Sequence, residues 1–190
     1  MHERIDNFKE VVAKSIAYFA DSEPAVLHWK HIEKMKLISH NGNNANIRFC
    51  MHQDPDKLFH SMIILEYKDK KCRKPHKHIE KDEFLQMIEG EMLAFMFDDN
   101  GNLLKKTLLT PQGNFAYMNP AGKHHLWIPL TDYVIYAETK KGPFEQKDNI
   151  SPQFNYIKIL RENIDSELYC FNPGCTNPCA LSQIKKTDIN

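Results

Sequence analysis

Two histidines one residue apart, His76 and His78, precede Glu83 and Gly90 in the stretch KPHKHIEKDEFLQMIEG, residues 74–90. Alternate side chains of an extended chain share a face, so the two imidazoles point the same way while Lys77 points opposite. A short turn through IEKD brings Glu83 to the start of the next strand, where its carboxylate can join them. The Glu89–Gly90 pair then permits a tight hairpin into EMLAFMF. Further on, NPAGKHH supplies a turn at Pro120 and Gly122 followed by His124 and His125, one of which closes the set from a neighbouring strand. Three neutral imidazoles and one carboxylate suit a divalent Fe, Mn, Ni, Cu or Zn ion and leave positions open for water or a substrate. The competing account is a chance cluster of polar loop residues.

The elements that must hold these side chains are legible as runs of strand length. From Ile47 to Lys140 the sequence gives SMIILEY, FLQMI, MLAFMF, LLKKTLL, FAYMN, HLWIPL and YVIYAET, separated by DDNGN, TPQGN and NPAGK. Regularly spaced strands with Gly, Asn and Pro turns predict an all-β antiparallel sandwich or barrel. MLAFMF is apolar on both faces, so its second face must meet another layer or another subunit. Before this region, Ile5, Phe8, Val11, Val12, Ile16 and Phe19 recur at three- and four-residue steps and predict an amphipathic helix over residues 5–20. SHNGNNANI is a polar turn region that separates it from the sheet. The expected organisation is an N-terminal helical extension at 1–44, a β-domain at 45–150 and a tail at 151–190.

Composition narrows the partners. Lys and Arg total 25 and match 25 Asp and Glu, so no net field steers the chain toward nucleic acid, and no basic run of five or more occurs. The N-terminus lacks the apolar stretch of a secretory signal, and no window approaches a membrane span. The expectation is a cytoplasmic protein with no nucleic-acid or membrane partner. The five cysteines are an odd number, expected as thiols in a reducing compartment. Cys50 and Cys72 read as small buried hydrophobes. Cys170, Cys175 and Cys179 in the tail are a weak candidate for a second site, holding Zn, because structural knuckles favour C-x-x-C pairs.

With these residues in view, the chain resembles a cupin. The first cupin motif, HxH, four residues, Glu, six residues, Gly, is matched by His76, His78, Glu83 and Gly90. The second, Pro-x-Gly-x-x-His, is matched by Pro120, Gly122 and His125, which selects His125 over His124 as the ligand. The nearer likeness is to WbuC-type cupin-fold metalloproteins, associated with O-antigen and other surface-polysaccharide gene clusters. It rests on Arg48 and His52 in RFCMH, on RKPHKH, on FDDNG, and on Glu138 followed by GPF at 142–144.

The resemblance implies a cupin jelly roll that forms a homodimer. It implies a divalent metal on His76, His78, Glu83 and His125, and a small-molecule substrate such as a sugar or sugar nucleotide. An isomerase or epimerase would need a base outside the metal shell, and His52 and Glu138 are the catalytic candidates. An Fe(II) dioxygenase and a binding module without turnover are the alternatives. Lys123, His124 and Arg73 are expected at or beyond the rim of the site, and Tyr117, Trp127 and Phe84 in the core.

Overall fold

The computed structural model describes residues 4–11, 16–68, 74–143 and 145–164. Its strands are β1 (Arg4–Ile5), β2 (Phe8–Val11), β3 (Ile16–Ala20), β4 (Ile47–Cys50), β5 (Phe59–Tyr67), β6 (Glu83–Glu89), β7 (Met92–Phe97), β8 (Leu103–Leu109), β9 (Ala116–Asn119), β10 (His124–Pro129) and β11 (Tyr133–Lys141). Helix α1 (Trp29–Asn41) precedes β4, and α2 (Tyr156–Asn163) follows β11. The strands form an eight-stranded sheet ordered β1-β2-β3-β4-β5-β11-β6-β9 and a three-stranded sheet ordered β10-β7-β8. The fold is all-β, a jelly roll of two facing sheets rather than a closed barrel. The seven strand-length runs expected after residue 60 are β5 to β11.

The core between the sheets is apolar. Leu85 and Met87 of β6 and Val134 and Tyr136 of β11 meet Met92, Ala94, Leu109 and Trp127 from the smaller sheet. The opposite face of the large sheet, with Ile47, Phe49, Leu65 and Ile135, is covered by Ile32 and Met35 of α1 and by Ile5 and Phe8. The second face of β7, with Leu93, Phe95 and Phe97, packs with Leu126 and Ile128 against Leu160 and Ile164, at and just beyond α2. The doubly apolar MLAFMF is therefore explained within one chain. Its composition no longer argues for a second subunit.

The helix expected over residues 5–20 is a correction: the described part of that segment is three strands. Asp6 takes a positive φ of 49° in the turn that pairs Ile5 with Phe8, and β3 then pairs in parallel with β4. β3 is buried on both sides, with Tyr18 and Ala20 in one cluster and Ala17 and Phe19 in another. A strand apolar on both faces has no two-residue contrast, so spaced apolar residues mimic a helical stripe. The real helix lies later. It buries Ile32, Met35 and Ser39 on one face, and its C-terminus is closed by Gly42, whose N–H donates to Ile38 O at 2.9 Å.

A second correction concerns Gly90. It takes φ +82°, as a tight turn requires, but β6 and β7 lie in different sheets. The turn carries the chain across the sandwich instead of closing a hairpin. Among the described residues no helix is long and apolar enough to cross a membrane.

Candidate metal centre

Backbone pairing brings the two motifs together before any side chain is considered. His76 and His125 exchange two hydrogen bonds, N–H to O at 3.1 and 2.9 Å, and Lys77 exchanges two with Ile150 at 3.0 Å. The Pro120–Gly122 turn docks on the first motif: Gly122 N–H donates to His78 O at 2.6 Å, and Ala121 N–H donates to Asp82 Oδ1 at 2.8 Å. Glu83 opens β6 opposite Asn119 of β9 and Lys140 of β11. As the alternation requires, Lys77 points away from its neighbours and pairs with Asp99.

The result is a cluster of His76, His78, Glu83 and His125 with one ligand atom from each inside a 4.8 Å span. The His76 and His125 rings are 4.4 Å apart, His76 and His78 5.0 Å, and His78 and His125 5.5 Å. Glu83 Oε2 lies 2.9 Å from His125 Nε2, and Glu83 Oε1 lies 3.7 Å from His78 Nε2. Three of the four residues are buried, and His76 is partly exposed, so the cluster opens to its surroundings on the His76 side.

A metal fits this arrangement on a physical test. His78 Nε2, Glu83 Oε2 and His125 Nε2 are buried and make no hydrogen bond. A buried polar atom without a hydrogen bond costs about 1–3 kcal/mol, and a cation shared by three such atoms within one 4.8 Å cluster would remove that cost. The far sides of the His78 and His125 rings are tied down, as metal-bound imidazoles favour. His78 Nδ1–H donates to Asp148 O at 3.3 Å. The Asn119 amide lies 2.7 Å from His125 Nδ1; with Nε2 given to a metal, Nδ1 carries the proton and the amide turns its oxygen to it.

Electrostatics keep His76 and Glu83 in their ligating forms. Burial, and then the neighbouring His125, push His76 down to about 3, so its ring is neutral at ordinary pH. Burial would raise Glu83, but the Lys140 ammonium and then the adjacent His125 and His78 rings outweigh it and hold the carboxyl well below its usual range. Burial likewise opposes the charge of Lys140, yet Glu138 and Glu83 hold its ammonium above the usual lysine range.

His124 is also buried, but it stands outside the cluster beside Asp99 and the Phe154 ring. It is not the solvated rim residue expected from sequence, because the segment leading to α2 covers it. Trp127 lies under His125 with ring centroids 4.8 Å apart, and Tyr117 packs edge-on to Trp127. Arg73, Cys72, Cys170, Cys175 and Cys179 lie outside the described residues. Cys50 is buried and free, its thiol pushed up to about 12 by burial.

The two catalytic candidates sit differently. Glu138 is buried one step along β11 from the metal row and is joined to it through Lys140, whose Nζ is 2.8 Å from both Glu138 Oε1 and Glu83 Oε1. His52 stacks on His60 with centroids 4.1 Å apart and planes 3° from parallel, and His60 pairs across the sheet with Lys140. Sequence reasoning missed Lys140, Asn119 and His60. For Lys140 a signal existed: it is two residues after Glu138, so both side chains lie on the same face of β11.

Burial, and then the charge of His60, depress His52 to about 4. The folded state thus resists a proton that the unfolded chain accepts near 6.5. Stability from this group is full above about pH 6.5 and falls as pH drops toward 4. In metal-free protein, His52→Leu is expected to shrink the fall in melting temperature between pH 7 and 4.5. An equal fall in both proteins would contradict this.

A family model described as Domain of unknown function (DUF6016) matches residues 40–109. No curated protein matches the chain. Among solved structures, the chain is similar to the capsular polysaccharide assembling protein CapF from Staphylococcus aureus, at 14% identity and TM-score 0.48 over 58% of this chain and 30% of that one. It is similar to KdgF from Halomonas sp., at 16% identity and TM-score 0.41 over 54% and 83% of the two chains. It is also similar to the WlaRB TDP-quinovose 3,4-ketoisomerase from Campylobacter jejuni, at 15% identity and TM-score 0.40 over 52% and 73%. The match spans less than a third of the CapF chain.

Proposed function

We propose that this chain is a metal-dependent cupin acting on a sugar or sugar nucleotide, as an isomerase or epimerase in surface-polysaccharide synthesis. The observation that carries the metal is the convergence of three unpartnered buried ligand atoms with His76 at the open side of the cluster. The sugar class is supported by the WbuC-like features around Arg48, His52 and Glu138. A bound divalent ion would act as a Lewis acid toward a carbonyl or hydroxyl oxygen of the substrate.

The chain's own groups have separable tasks in this reading. His76, His78, Glu83 and His125 hold the ion. Glu138, outside that set and 2.8 Å from the Lys140 ammonium, is the group to which this reading gives the taking and returning of a proton. The buried sides of the site, with Trp127 against His125, limit water there. His52 is the second candidate and reaches the site through His60.

The test is a screen of nucleotide sugars and simple aldoses against metal-loaded and metal-stripped protein, read as a shift in melting temperature. Hits are then followed by NMR for exchange of the proton next to the carbonyl with solvent deuterium. The expected result is a metal-dependent shift, with exchange that needs no oxygen and is lost in Glu138→Gln. Oxygen uptake in place of exchange would overturn the isomerase reading in favour of a dioxygenase. Metal-dependent binding with neither would leave a binding module.

A further inference from the structure

The two oxygens of Glu83 have different partners, and the difference is set by a residue outside the cupin motifs. Oε1 accepts from Lys140 Nζ at 2.8 Å, whereas Oε2 makes no hydrogen bond and faces His125 Nε2 at 2.9 Å. Lys140 is itself held from the other side, its Nζ 2.8 Å from Glu138 Oε1, with side chains 15% and 10% exposed.

We propose that Lys140 is a positioning residue that makes Glu83 a one-oxygen ligand through Oε2, with Glu138 as the anchor that keeps Lys140 in place. The inference rests on the metal-centre reading above. A charge-assisted hydrogen bond to one oxygen of a buried carboxylate is short and directional, and it is lost if the carboxylate turns to chelate. Oε1 is therefore withheld from the metal. One coordination position that a chelating carboxylate would fill stays available to a ligand on the His76 side. The second carboxylate has a reason in this scheme. A dication beside Lys140 repels it, and Glu138 supplies the opposing attraction that stops it from withdrawing.

Affinity alone is a poor readout. Removing a cation near a dication tightens binding, while freeing the carboxylate alters it independently. The geometry is read by infrared difference spectra of Mn(II)-loaded minus metal-free protein, because the gap between the asymmetric and symmetric carboxylate stretches is wide for one-oxygen binding and narrow for chelation. Glu83→Gln identifies the bands by removing them. The wild type is expected to show the wide gap and Lys140→Met the narrow one. The double variant Lys140→Met with Glu138→Gln, which leaves no second carboxylate uncompensated, is expected to match Lys140→Met and serves if the single variant does not fold. A wide gap in all three would overturn the inference and leave the metal centre standing. Failure of the wild type to bind Mn(II) or any other first-row divalent ion would overturn both.

Discussion

Protein purified with His76→Ala and His78→Ala together is expected to carry less than about a tenth of the wild-type metal, against roughly one divalent ion per wild-type chain. The two substitutions remove half of the donors. What remains, Glu83 and His125, is already in mutual contact at 2.9 Å and closes on itself. The backbone pairing that builds the site uses main-chain groups of His76 and His125, so the fold is expected to persist, as circular dichroism and a cooperative thermal transition would show. Elemental analysis of both proteins, prepared together, is the check. Equal metal content in folded protein would contradict the assignment.

The second large effect is expected at Gly142, immediately after β11. A Cβ there would lie 2.0 Å from the Lys57 carbonyl oxygen and 2.6 Å from His60 Nε2. The His60 ring could turn, but the carbonyl belongs to the backbone, and Gly142 N–H already donates to Leu58 O at 2.8 Å. Gly142→Ala must therefore push residues 57–60 away from the end of β11. Forced shifts of this kind cost on the order of 3 kcal/mol, and in a domain of this size that lowers the melting temperature by roughly 6–12 °C. The displacement also reaches the site, because His60 stacks on His52 and pairs with Lys140 across the sheet. A melting temperature within about 1 °C of wild type would contradict this close approach.

The parts of the structure that sequence foretold share a physical property: they have local periodicity or fixed spacing. Each run from SMIILEY to YVIYAET is bounded by turn residues and became a strand, because alternation and punctuation are local signals. The ligand set was legible because side-chain direction along an extended chain follows from spacing alone. The N-terminal region was not, because β3 is apolar on both faces and gains its partners from β4, thirty residues later. The tail helix α2 was overlooked although Asn155 caps it by accepting from Lys158 N–H at 3.3 Å; its role appears only when Leu160 is seen to cover Phe95 and Phe97. Lys140 was missed for a different reason. A lysine near the end of a strand is usually solvated, so its shared face with Glu138 carried little weight until the register set it opposite Glu83.

The central claim is that a divalent metal is held by His76, His78, Glu83 and His125. X-ray absorption at the edge of whichever metal the purified wild type retains tests it most directly, since nitrogen and oxygen donors lie near 2.0–2.2 Å and thiolate sulfur at about 2.3 Å. The predicted spectrum contains imidazole scattering from three rings and a light-atom shell without sulfur, and it disappears in His76→Ala plus His78→Ala. A shell dominated by sulfur, or a spectrum unchanged in that variant, would place the metal elsewhere in the chain and contradict the account.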